Sequence, residues 1–309
     1  MAFITGFGKY LPERIVTNKE LAHRLSCEAA WIERMSGIQE RRYAADGETV
    51  CEMAARAAVD CIERSAVDRA QIGLVIVATS TAECRFPGPG AAIVERLGLG
   101  ATPAIDLCVA SAGSLFSLVL ADSCAATFGT VLVIAAEKMS SVVAANTDKK
   151  TAFPFGDGAG ACIVTRNTAA LRMIGSRLYS NGRLATDLCL QHDNTLQMNG
   201  PSVIAQAARK VPKVITEVLE QHSYGTGDVA AVVVHQANLN LIVRIADALQ
   251  LPRQRLFSNI ARYGNTSSAS MLIAAAEWFE CASKSPAPIV VFAAFGAGFY
   301  WGAVLARFV

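Results

Sequence analysis

The stretch AAVVVHQAN (residues 230–238) decides the fold, because it has an earlier counterpart in IGLVIVATST (72–81). Each is a short run of β-branched and small apolar residues closed by polar ones, the pattern of a strand buried on both faces. The segments after each run also repeat. The first run leads to ERLGLG (95–100), PAIDL (103–107), SAGSLFSLVLADS (111–123), TVLVIAAE (130–137) and FGDGAGACIVTR (155–166). The second leads to IADALQLP (245–252), RLFSNI (255–260), TSSASMLIAAAEW (266–278), APIVVFAAF (287–295) and FYWGAVLARF (299–308). The offset is roughly 150 to 160 residues, so the chain reads as two similar halves, 1–166 and 167–309, and not as an array of short repeats. Alternating buried strands and helices in each half imply an α/β architecture of mixed layers.

Chemistry sits at the ends of these runs. His235 closes the second-half strand, and RYGNTSSAS (262–270) places Asn265 in a turn that opens a small-residue helix. A lone histidine after an apolar strand reads as a hydrogen-bonded structural residue; an amide delivered to the same buried point makes it part of a site. In the first half, a short strand through Ile105 and Asp106 leads to a helix starting near Ser111, flanked by Ala110, Ala112 and Gly113. Small residues allow close approach, and the helix N-terminus offers free N–H groups and partial positive charge, which activate a nucleophile or hold an anion. The glycine-rich FGDGAGA (155–161) and FGAGF (295–299) lack the spacing of a phosphate loop, and the former reads as close sheet packing.

Composition narrows the class. The 309 residues are 52% hydrophobic and 17% charged with a net charge of +2, enough for a large buried core and without the basic footprint of a nucleic-acid binder or an acidic tail. Nine cysteines lie scattered without a C-x-x-C pair or a His/Cys cluster, so no metal site is expected and a reducing, cytoplasmic setting is. The N-terminal MAFITGFGKYLPERIV lacks a basic segment followed by an apolar core, so no secretory signal is expected. The twenty uncharged residues 287–306 have the length of a membrane span, but Gly296, Gly298 and Gly302 break them into two buried strands around a turn. No membrane partner is expected.

Taken together, DLCVASAGS (106–114), VHQAN (234–238), YGNTS (263–267), FGDGAGA and FGAGFYWGA (295–303) resemble the β-ketoacyl-acyl carrier protein synthase III family of thiolase-fold condensing enzymes. The resemblance runs from GFGKYLPE (6–13) to WGAVLARF (301–308). It implies a five-layer αβαβα thiolase fold and an acyltransferase of fatty-acid, polyketide or quinolone-type biosynthesis, using coenzyme A and malonyl thioesters as substrates without a further cofactor. The family's triad is Cys-His-Asn. His235 and Asn265 match its second and third members, while the nucleophile position, five residues after Asp106, holds Ser111. Cys108 lies three residues too early.

The same resemblance implies that His235 and Asn265 hold a malonyl thioester carbonyl, and that the N–H groups of Ser111 and Ala297 form the oxyanion hole. It assigns coenzyme A to Trp31, Arg34 (one place off the family position), Lys149 and Asn238. It places Phe86 at a homodimer interface, reaching the neighbour's acyl pocket. The carrier-protein face is atypical: Asn240, Asp247 and Ala248 stand where the family offers basic residues, leaving Arg244, with Arg209, Lys210 and Lys213 as substitute cations.

Serine at position 111 changes the chemistry. A cysteine at a helix N-terminus drops from a pKa of about 8.5 to between roughly 3.5 and 7.5, whereas a hydroxyl needs a base, for which His235 is the expected group. An acyl-serine is an oxygen ester and a poorer donor to a carbanion, so Claisen condensation is expected to be slow. Three readings stand side by side: an engineered Cys-to-Ser change, a natural serine acyltransferase loading a starter unit, and a non-catalytic subunit of a heterodimeric synthase.

Overall fold

The computed structural model describes residues 1–309 apart from 145–147, 192–194 and 283–286, and apart from the side chains of residues 149 and 150. The apolar runs form ten strands of one sheet: β1 (Phe3–Tyr10), β2 (Ile72–Ala78), β3 (Ala104–Leu107), β4 (Thr130–Lys138), β5 (Asp157–Thr165), β6 (Leu171–Ser180), β7 (Val229–Val234), β8 (Leu256–Phe257), β9 (Ile289–Gly296) and β10 (Tyr300–Phe308). Their order is β8-β7-β9-β10-β6-β1-β5-β4-β2-β3. Read outward from the centre, β1-β5-β4-β2-β3 and β6-β10-β9-β7-β8 are the same path, each strand matched by the one five later. The pairing types agree as well: β2 is parallel to β3 and β4, and β7 to β8 and β9, while the remaining pairs are antiparallel. The two halves join through the antiparallel pairs Phe3↔Arg172 and Ile4↔Leu171. The expected division after residue 166 falls in the link between β5 and β6.

Six helices matter to the site: α1 (Ala29–Ser36), α2 (Val50–Ser65), α3 (Gly113–Phe128), α4 (Gly200–Gln221), α5 (Leu239–Ala248) and α6 (Ser270–Cys281). Strand alternation sorts the apolar side chains into layers. Val75, Val77, Leu132 and Ile134 face outward against Ala54, Ala57, Ala58 and Cys61 of α2. Val232, Val234, Val291 and Ala293 face outward against Val214 and Val218 of α4 and Leu241 and Ile245 of α5. The opposite faces, with Ile76, Ala78, Val133 and Ala135 from one half and Val233, Phe292 and Ala294 from the other, enclose α3 and α6. Helix, sheet, helix pair, sheet, helix is the five-layer arrangement expected from the resemblance.

Central position explains two sequence features. Among the described residues one helical segment, Ala110–Phe128, is long and apolar enough to cross a membrane, and it includes α3, whose buried side chains pack against the central faces of both halves. The uncharged stretch 287–306 forms β9, a turn and β10, as its glycines predict. FGDGAGA belongs mainly to β5, where a Cβ on Gly160 would lie 2.6 Å from Cβ of Leu272 and 2.8 Å from the Ile273 nitrogen, so glycine lets α6 sit directly on the strand.

Candidate active site

Both central helices open through a single 3₁₀ turn, Ala110–Ala112 before α3 and Ser267–Ala269 before α6. Both turns start on a non-glycine residue with positive φ, 41° at Ala110 and 47° at Ser267. Such backbone costs of order 1–3 kcal/mol and persists where surrounding packing enforces it. The strain sets the direction of the next side chain and amide, Ser111 in one turn and Ser268 in the other.

Ser111 is buried with its Oγ 3.3 Å from Oγ of Ser267, which brings the two turns together. Ser267 is tied in turn to Asn265, whose Oδ1 accepts the Ser267 N–H at 2.9 Å. The Asn265 backbone is pinned to the first half, donating to the Pro154 carbonyl at 2.8 Å and accepting from Gly156 at 3.1 Å. The expected nucleophile position and amide therefore lie two hydrogen bonds apart.

His235 follows β7, with its N–H held by the Ala293 carbonyl at 2.9 Å and its ring edge-on to Phe295 at 5.2 Å. Its Nδ1 lies 2.5 Å from Oγ of Ser270, and that oxygen already accepts the Gln236 N–H at 3.0 Å. We assign the Ser270 hydroxyl as donor to Nδ1, which leaves a neutral ring with its proton on Nε2. Burial drives the pKa of His235 down to about 3, so the imidazole is a hydrogen-bond donor and a poor base at neutral pH.

The oxyanion position is shaped by Gly296, the last residue of β9. A Cβ there would sit 2.8 Å from the Ala112 nitrogen and 3.0 Å from the Ser111 nitrogen, so only glycine lets the strand end abut this helix opening. No turn or loop carbonyl among the described residues accepts the N–H of Ser111 or of Ala297. Cys108 is exposed, its sulfur 3.9 Å from Oγ of Ser80.

The peripheral candidates are more dispersed. Trp31 and Arg34 lie on α1, Trp31 edge-on to Phe153 at 5.2 Å and Arg34 exposed. Lys149 begins the short helix Lys149–Ala152, and its side chain lies outside the described residues. Asn238 caps α5 and spends its amide on the Met35 carbonyl at 2.8 Å; Asn240 donates to the Arg34 and Met35 carbonyls at 3.1 and 3.2 Å. These two asparagines bolt the end of α1 to α5. Phe86 is 87% exposed beside edge strand β3, where Ile105 is also exposed. Arg209, Lys210 and Lys213 line a surface cavity of about 410 Å³ with Tyr179 and Trp301, and Lys210 Nζ lies 3.8 Å from the Trp301 ring centre.

Sequence reasoning misses Ser267, Ser270 and, above all, Glu137. The Glu137 carboxyl is fully buried near the end of β4 and accepts hydrogen bonds from Thr81 (2.6 Å), Ser268 (2.7 Å), the Ser80 amide (3.1 Å), Ser267 (3.3 Å) and Thr79 (3.4 Å). Burial raises its pKa, partly countered by these donors. Its signal in the sequence is a single carboxylate ending the otherwise apolar TVLVIAAE.

Comparison with known proteins identifies relatives of the whole chain. The chain matches the profile for 3-oxoacyl-[acyl-carrier-protein] synthase III over residues 105–182 and that of its C-terminal region over 219–308. It is 35% identical over 307 residues to a β-ketoacyl-[acyl-carrier-protein] synthase III of Aquifex aeolicus, covering 99% of both chains. The crystal structure of the 3-oxoacyl-[acyl-carrier-protein] synthase III from that organism superposes with a TM-score of 0.95 at 34% identity over 100% of both chains. A priming β-ketosynthase from a polyketide biosynthetic pathway superposes with a TM-score of 0.91 at 30% identity, covering 99% of this chain and 96% of the other.

Proposed function

We propose a route of acyl transfer from one premise: this chain belongs to the 3-oxoacyl-[acyl-carrier-protein] synthase III family and is a thiolase-fold condensing enzyme, an acyltransferase. Ser111 Oγ takes an acyl group from a coenzyme A thioester: the O–C bond forms, the C–S bond breaks, and the leaving thiolate ends protonated. The N–H groups of Ser111 and Ala297 hold the oxyanion, where preorganised donors act without reorganisation. His235 through Nε2–H and Asn265 hold the thioester carbonyl of a malonyl unit and stabilise the enolate left by decarboxylation. The observation that carries this reading is the bonded path from Ser111 through Ser267 to Asn265, which joins nucleophile and enolate positions across the two halves.

Because the ester is the weaker donor, the favoured use of the acyl group is transfer to a thiol of a carrier or coenzyme, with condensation slow. Mass spectrometry of the intact protein after incubation with acyl-coenzyme A tests this. One acyl group on the parent, none on Ser111→Ala, and faster labelling with restored condensation in Ser111→Cys are expected. An unlabelled parent chain whose Ser111→Cys form does label would overturn the nucleophile assignment.

Coenzyme A is proposed to reach the site past Trp31 and Arg34 on α1. For an acidic carrier protein, the cavity of Arg209, Lys210 and Lys213 supplies the positive charge absent from Asn240, Asp247 and Ala248. Exposed Phe86 beside the open edge of β3 supports a homodimer through that edge. Sedimentation as a monomer at micromolar concentration would count against the dimer. A cytoplasmic setting, where coenzyme A thioesters are made and thiols stay reduced, fits the nine free cysteines.

A further inference from the structure

We propose that Ser111 is activated by Glu137, acting through the Ser267 hydroxyl, and not by His235. This rests on the reading of Ser111 as nucleophile. A carboxylate only accepts, so the Ser267 hydroxyl donates to Glu137 Oε1 at 3.3 Å. Having spent its one proton, the Ser267 oxygen must accept at its 3.3 Å contact with Ser111, and the Ser111 proton therefore points away from the oxyanion position and towards the carboxylate. The lone pairs of Ser111 are left for attack. His235 Nδ1 is occupied by Ser270, and its Nε2 carries a proton, so the ring has no free lone pair to offer.

When Ser111 attacks the acyl carbon, its proton passes to Ser267 as the Ser267 proton passes to Glu137. The carboxylate becomes a carboxylic acid, Ser267 is unchanged, and the thiolate of coenzyme A departs. The return bypasses the acylated Ser111 oxygen: Glu137 gives its proton to the Ser267 oxygen as the Ser267 hydroxyl proton passes to the thiolate, regenerating Glu137 for the next cycle. Every partner that the structure gives Glu137 is a hydroxyl or an amide: Thr79, Ser80 and Thr81 after β2, and Ser267 and Ser268 before α6. Its neighbour Lys138 turns away to the carbonyls of Ala45, Asp46 and Glu48. Burial in this uncharged setting raises the carboxyl's proton affinity above its ordinary value, and the hydroxyl and amide donors partly counter the rise.

Glu137 acts through Ser267 and is thus a positioning residue, as is Ser267. The test measures the rate of Ser111 acylation by acyl-coenzyme A in the parent, Glu137→Gln and Ser267→Ala, each also in a Ser111→Cys background. General-base assistance contributes about 10²–10⁴-fold, so each single change is expected to slow Ser111 acylation by at least about 10²-fold and the double change by no more. Glu137→Gln should also abolish the acid limb of the acylation pH profile. In the Ser111→Cys background, where the helix opening stabilises a thiolate without the relay, the same changes should cost less than about 3-fold. Equal slowing in both backgrounds would make Glu137 a scaffold residue and overturn the relay. Full-rate acylation of Ser111 in a folded Ser267→Ala or Glu137→Gln variant would overturn the relay alone. Absence of any acyl-Ser111 in the parent overturns the nucleophile reading and the relay with it.

Discussion

The two 3₁₀ turns that open α3 and α6 are built alike and are faced differently. Each begins on a residue with positive φ, and each is met by the end of a central strand from the other half. At α3 the facing residue is Gly296 of β9, whose missing side chain exposes the Ser111 and Ala112 amides. At α6 it is Glu137 of β4, whose carboxylate fills the corresponding space and takes the Ser267 and Ser268 hydroxyls. Strand positions agree as well: Val133, Ala135 and Glu137 face the central layer as Phe292, Ala294 and Gly296 do. A duplicated backbone has thus been split into an open turn that can receive negative charge and a closed turn that supplies it. Asymmetry in two side chains separates the roles.

The largest expected effect comes from making the open turn resemble the closed one. Gly296→Ala would push a methyl group against the Ser111 and Ala112 nitrogens, and moving an oxyanion donor costs about 10²–10³-fold in rate. Overpacking adds a stability loss of about 1–3 kcal/mol, read from urea unfolding. Acylation of Ser111 should fall by that factor while malonyl-thioester decarboxylation falls less, because decarboxylation uses no nucleophile. Equal loss of both would mean that Gly296 serves the core and not the oxyanion.

The second test separates the two buried groups. His235→Ala should slow decarboxylation by about 10²-fold through loss of one enolate donor. Ser111 acylation should change by less than about 10-fold if its proton goes to Glu137. A His235→Ala variant that decarboxylates at the parent rate removes His235 from the mechanism, and one that loses acylation to the same degree as decarboxylation restores it as the base.

Most of the frame is legible in the sequence because it rests on periodicity. Strand runs such as TVLVIAAE and APIVVFAAF are apolar on both faces, and that pattern survives without any knowledge of partners. His235 and Asn265 are legible because polar groups ending apolar runs are conspicuous. Ser267 and Ser270 are not, since serine at the opening of a small-residue helix is ordinary helix-opening chemistry until a partner is seen. Glu137 reads only as the end of a strand; its partners Thr79, Thr81, Ser267 and Ser268 lie 56 to 131 residues away in sequence. Asn238, expected to contact coenzyme A, donates its amide to the Met35 carbonyl, a pairing 203 residues apart. Long-range hydrogen bonds leave no periodic trace.

The smallest expected effect is on stability, and its sign differs between the two halves. His235 has a folded pKa near 3 against about 6.5 when unfolded, so below pH 6.5 the unfolded chain binds a proton that the native chain refuses. The stability His235 contributes is therefore present above about pH 6.5 and is lost as pH falls towards 3. Glu137 behaves oppositely: its folded pKa is raised, so the native chain keeps a proton that the unfolded chain releases above about pH 4.3. Its contribution is present below that value and is lost as pH rises through the raised pKa. Asp157, lifted to about 6 by burial, adds to the same side. Urea midpoints measured from pH 4 to 8 should lose part of their acid-side fall in His235→Gln and part of their rise-side loss in Glu137→Gln, with the Asp157 share remaining. The His235 change is expected to be worth about 1–2 kcal/mol over the window, since a tenfold change in proton affinity is about 1.4 kcal/mol and water reaching the site reduces the full figure, while the Glu137 change is read by its direction. Parallel curves for parent and Glu137→Gln would mean that burial leaves the proton affinity of Glu137 at its ordinary value, and would make the carboxylate of the closed turn a weaker acceptor for the Ser111 proton.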